Sequence, residues 1–179
     1  VAGLEVQARA LLFDDQRTLR FAGADNSAEG QDFSLRVVSR GAWQVDALAY
    51  AQWRNFTNVV ISSTTFIRTL DQKDTPSEGQ GARLEIRPPL GRDFVLRVGA
   101  DYRRAAGDLA EDAFNGGTGA LTQNRFAGGE NTQVGFYVEN DWTRGVLTLT
   151  GGLRADRYTI ADGYFRRVNA AGTTVQDDS

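Results

Sequence analysis

Asp101, Glu139, Arg83, Arg97 and Arg154 stand on the polar parity of runs whose other parity is mostly apolar. Facing carboxylates can trade a proton as general acid and base. Faced by arginines, they form instead a ladder of opposite charges that satisfies a polar interior, and that is the role assigned to these five. The rest of the inventory points away from catalysis. The chain has no His, Cys or Met, and Lys73 is its single lysine, so a serine or threonine nucleophile lacks its usual base. No enzyme activity, catalytic residue, cofactor or metal is expected. Gly116, Gly117 and Gly119 read as flexible loop, because no buried strand precedes them and no helix pattern follows, as a phosphate cradle requires. Asp108, Glu111 and Asp112 have oxygen donors for calcium, but their spacing does not match an EF-hand loop, and solvated loop charge is the expectation.

The elements that carry these residues are strands. Between Trp43 and Trp53, Val45, Ala47, Ala49 and Ala51 alternate with Gln44, Asp46, Leu48, Tyr50 and Gln52, which puts two unlike faces on one extended segment. Ten residues at ~3.3 Å each, tilted ~40°, rise about 25 Å, the height of the lipid-facing band of an outer-membrane barrel. Similar alternation recurs in six other runs: Leu4 to Phe13, Phe33 to Val38, Ala82 to Arg87, Phe94 to Arg103, Val134 to Trp142 and Leu147 to Asp156. Seven strands are therefore expected, with Trp43, Trp53, Phe94, Tyr102 and Trp142 as membrane-interface aromatics.

Connections alternate between two kinds. Short turns lie at Arg40-Gly41, Pro88-Pro89-Leu90-Gly91 and Thr143-Arg144-Gly145, where Gly and Pro supply hairpin geometry. Long polar stretches run from Asp14 to Gln31, Ser62 to Gln80, Ala105 to Glu130, and Asp162 to the end. In a compact domain, loops beyond ~12–15 residues are uncommon, whereas outer-membrane barrels pair short periplasmic turns with long extracellular loops. Gly107 to Phe114 could form one helical turn inside its loop. The fold class is thus all-β: an antiparallel, up-and-down transmembrane barrel segment. No apolar run approaches the ~18 residues of a membrane helix, and the first ten residues lack the pattern of a signal peptide. With a net charge of −3 and a pI near 5.0, no nucleic-acid partner is expected.

One hairpin is more specific. From Gly135 to Tyr158 an aromatic strand ends in Asp141-Trp142, turns through Thr143-Arg144-Gly145 and returns as Leu147-Thr148-Leu149-Thr150-Gly151-Gly152-Leu153-Arg154-Ala155-Asp156. This resembles the barrel of TonB-dependent outer-membrane receptors, and the segment from Leu70 through Gly81 is similar to members of that family. The resemblance implies a receptor of the bacterial outer membrane, surrounded by lipid, that imports a small siderophore-like ligand with energy delivered by the TonB complex. Such receptors also have a plug domain, a TonB box and about 22 strands ending in an aromatic residue. None of these is in the sequence, so residues 1–179 are expected to be one partial barrel domain from the middle of a larger receptor.

Ligand capture is assigned to aromatic and charged side chains of the outer loops: Phe114, Asn124, Arg125 and Phe126 in one, Tyr164, Phe165 and Arg166 in the next. Arg103-Arg104 and Arg166-Arg167 have the charge to meet an anionic ligand or lipopolysaccharide phosphates, but ordinary loop-base charge is the expectation for both pairs. Two other readings share the alternation: a structural or adhesive barrel that transports nothing, and a soluble β-sandwich, which would require a dry core.

Overall fold

The computed structural model describes residues 3–179; Val1 and Ala2, where the leader reading begins, lie outside them. Nine strands follow one another: β1 (Leu4–Thr18), β2 (Asp25–Arg40), β3 (Gln44–Ile61), β4 (Arg68–Asp74), β5 (Ser77–Arg87), β6 (Phe94–Phe114), β7 (Leu121–Arg144), β8 (Leu147–Asn169) and β9 (Thr174–Asp178). All belong to one antiparallel sheet, in which β4 and β5 share a single place between β3 and β6. The fold is the expected up-and-down wall, and it is an open sheet, not a closed barrel.

Pro76 explains why one place holds two strands. Proline has no N–H for the ladder, and an extra residue bulges out between Gln72 and Asp74 just before it. Side-chain and irregular bonds fill the gap. Thr75 N donates to Asn55 Oδ1 at 3.0 Å, and Asp108 N donates to the Pro76 carbonyl at 2.9 Å.

The pairing register gives the sheet two faces. One row reads Val6, Val37, Ala47, Leu84, Ala100, Phe136 and Ala155 across β1, β2, β3, β5, β6, β7 and β8; the adjacent row, on the other face, reads Gln7, Arg36, Leu48, Arg83, Asp101, Gly135 and Asp156. Among the described residues no second layer covers either face. Among the described residues the buried apolar side chains are Ala24 and Ala113, no large side chain is fully buried, and Leu153 is 78% exposed. A soluble sandwich needs a core between two sheets, so the single sheet sets that reading aside.

Two expectations require correction. The seven strands become nine, because β4 and β9 lie in stretches expected to be loops, and the strands extend far into those stretches: β6, β7 and β8 have 21, 24 and 23 residues. Irregular connections at that end shrink to 19–24, 62–67, 115–120 and 170–173. The backbone ladder continues where alternation stops, since neither face there has to be apolar. Gly107 to Phe114 is accordingly strand, not a helical turn. At the opposite end the short turns are as expected, with Gly91 and Gly145 at positive φ (103° and 62°), the conformation such turns demand.

A bulge in β8 has lasting effects. Gly128 pairs with Tyr164 but Glu130 with Ala161, so β8 carries one extra residue there, and Asp162 takes a φ of 53°. Before the bulge the even-numbered residues of β8 share the face of Arg83 and Asp101; after it the odd-numbered ones do.

Candidate functional site

On the polar face every charge assigned to the ladder has found a partner, although Asp101 and Glu139 do not partner each other. Arg97 donates to Glu139 at 2.5 Å and to Asp141 at 2.8 Å, and Thr150 Oγ1 donates to Asp141 at 2.7 Å. Arg154 donates to Asp101 at 2.9 Å and to Asp156 at 2.6 Å. Arg83 meets Glu85 at 3.1 Å, and Arg36 meets Asp46 at 2.6 Å. Half-exposed pairs of this kind each contribute only ~0–1 kcal/mol. Glu85 differs: it is 7% exposed, and its oxygens accept from Arg87 Nε at 2.8 Å, Arg83 Nη2 and Tyr137 Oη at 2.7 Å.

Glycine makes these long reaches possible. Tyr137 on β7 lies across Gly99 of β6 to touch Glu85 on β5, and a Cβ at Gly99 would stand 2.2 Å from the ring. Arg154 crosses Gly135 in the same way to reach Asp101, and Tyr50 lies over Gly81. A side chain at any of these three positions would close the crossing.

The other face is apolar and bordered by aromatics. Trp43 (58% exposed), Trp53 (48%) and Phe94 flank its alanines, valines and leucines, together with the less exposed Tyr102 and Trp142. The borders run obliquely. Trp53 leads through Glu78 to Ala106, yet the aromatic of β6 is Tyr102, four residues earlier; at the other border Trp43 precedes Val45 by two, and Phe94 precedes its row-mate Val98 by four. The borders thus slide by four and by two residues over two strand steps.

The capture candidates are the second correction of place: all seven sit on strands. Phe114 ends β6 with the Arg68 guanidinium 4.3 Å from its ring centroid; Phe126 on β7 has Arg166 of β8 at 4.9 Å. Asn124 donates to Asp112 at 2.5 Å, and Arg125 pairs with Glu111 at 3.0 Å. Tyr164 donates to Asp108 at 2.9 Å, which pushes its phenol above the ordinary tyrosine range. Phe165 lies on the opposite face from Tyr164 and Arg166, beside Ala127. The register also divides Asp108 and Asp112 from Glu111, so the three carboxylates do not converge. Arg104 bridges Glu78 and Glu130 and holds the Glu130 carboxyl below its ordinary value.

Several residues at this end escaped the sequence reading. Phe21 and Phe66 meet edge to face at 5.4 Å, and Thr65 Oγ1 donates to the Gly116 carbonyl at 2.5 Å, so the three hairpin tips touch. Phe66 holds a φ of 56°, unusual for a bulky residue. Asn58 and Gln72 also join the row of Glu111 and Arg125, where they meet Arg167 of the basic pair noted in the sequence. Loop-like composition concealed them, since contacts of this kind need the strand register.

A one-sheet wall with an aromatic-bordered apolar face and an ion-paired polar face is the build of an outer-membrane barrel. The family described as TonB-dependent receptor-like, β-barrel, matches residues 6–179, and the chain belongs to that family. It is a family of outer-membrane receptors and transporters. Comparison with curated proteins and with solved structures returns no match.

Proposed function

We propose that this chain is wall from a bacterial outer-membrane importer for a scarce solute, an iron–siderophore complex, a corrinoid or a similar molecule, driven through TonB from the inner membrane. The apolar face meets lipid, the ion-paired face lines the lumen, the short turns lie in the periplasm and the long hairpins stand outside. The observation that carries the reading is the oblique aromatic border. For strands ~4.8 Å apart with ~3.3 Å per residue, a slide of two to four residues over two steps corresponds to a tilt of roughly 35–55°, overlapping that of membrane barrels. Horizontal aromatic belts on a tilted wall require that slide; a soluble sheet does not.

Two measurements on the intact protein in its membrane test this. Cysteines replacing Ala47 and Ala49 are expected to resist a membrane-impermeant thiol reagent, and free reaction of both would refute lipid contact. Uptake of labelled iron–siderophore or corrinoid is expected to stop when the proton gradient is collapsed. A structural or adhesive barrel would show no energised uptake at all.

A further inference from the structure

We infer that Arg125 and Arg167 form an anion-binding site on the lumen-side face of the outer hairpins, taking a carboxylate or phosphate group of the captured solute; this rests on the reading of those hairpins as the capture end. The two arginines are direct partners in the β7–β8 ladder. Like charges placed opposite each other, with Cβ atoms ~4.5–5.5 Å apart, destabilise a sheet unless something neutralises them. Their row supplies too little negative charge. Asn58 Nδ2 donates to Gln72 Oε1 at 3.2 Å, Gln72 Nε2 to Glu111 Oε2 at 3.5 Å, and Arg125 Nη1 meets Glu111 Oε1 at 3.0 Å.

Both Glu111 oxygens are thereby engaged by residues other than Arg167. Across the ladder from Arg167 stands Gln176, and it donates to Asp178, the nearest carboxylate of β9 on this face, at 2.5 Å. Arg167 has no ion pair among the described residues, and Nε of both Arg125 and Arg167 is buried without an acceptor. Two cations with one carboxylate leave one positive charge in a partly buried site, with donors to spare. Planar guanidinium forks suit carboxylate and phosphate oxygens. Leu109, Ala127 and Phe165 in the next row give an apolar surface beside the charge.

The test is titration calorimetry of the intact receptor in detergent at low ionic strength, with pyrophosphate and tricarballylate as separate probes. Saturable binding of at least one is expected, and which one separates phosphate from carboxylate recognition. R167Q and R125Q should each weaken it at least about tenfold, R167K less, and R144Q, at the short turn on the opposite end of the wall, should leave it unchanged. Heat-dependent gel migration confirms that each variant is a folded barrel. Absence of saturable binding of both probes, or equal losses in R144Q and R167Q, would overturn the site. Arg167-dependent binding in a receptor without energised uptake would refute the import reading alone, whereas energised uptake with Arg167-independent binding would refute the site alone.

Discussion

Replacing Gly99 by alanine sets two effects of opposite sign against each other. A Cβ there would stand 2.2 Å from Cζ and 2.4 Å from Oη of Tyr137, so the ring must leave and its 2.7 Å bond to Glu85 must break. A hydrogen bond to a charged partner contributes about 1.5–3 kcal/mol. Against that, alanine restricts the unfolded chain more than glycine does and favours a strand interior by about 0.5–1 kcal/mol. The expected net loss is about 0.5–2.5 kcal/mol. In a Tyr137→Ala background the clash is absent, so the same substitution should stabilise by ~0.5–1 kcal/mol. The assay is equilibrium urea unfolding of the intact protein in lipid vesicles, read by tryptophan fluorescence over the double-mutant cycle. The reasoning fails if G99A costs the same in both backgrounds, or stabilises the protein that retains Tyr137.

Gly135→Ala tests the contrast between a pinned ring and a movable side chain: the new Cβ would meet the flexible end of Arg154, so the loss should stay within ~1 kcal/mol. A loss larger than that of G99A in the same unfolding assay would contradict it. Asp108→Asn should bring the Tyr164 phenol back toward its ordinary range, seen by ultraviolet titration against Tyr164→Phe. Because the folded-state value is raised, the pair's contribution to stability is present below the usual tyrosine range and is lost as pH rises through the raised titration. An unchanged titration in D108N would remove that assignment.

What the sequence revealed follows from where lipid imposes a pattern. From Trp43 to Trp53 one face must be apolar and the other need not be, and the strand can be read off directly. From Ala105 to Glu130 no such demand exists, so β6 and β7 resemble loop although their ladder runs on in register as far as Ala113 and Gln123. The charged face was likewise legible by parity, but its partners were not, because Tyr137 and Arg154 reach over a glycine to the next strand but one. The bulge leaves no trace in the alternation. Counting by twos from Arg154 arrives at Arg166, whereas the extra residue near Asp162 brings Arg167 to that face instead.

The crossing of Tyr137 over Gly99 also bears on how the wall holds its alignment. A pattern of period two punishes a one-residue slip, which would turn every apolar side chain inward, but it is blind to a slip of two. After such a slip Tyr137 would face Arg97 or Asp101 where it now finds bare backbone, and Glu85 would be out of reach. The glycine notch therefore acts as an index mark, rejecting the misalignment that hydrophobic patterning alone would accept.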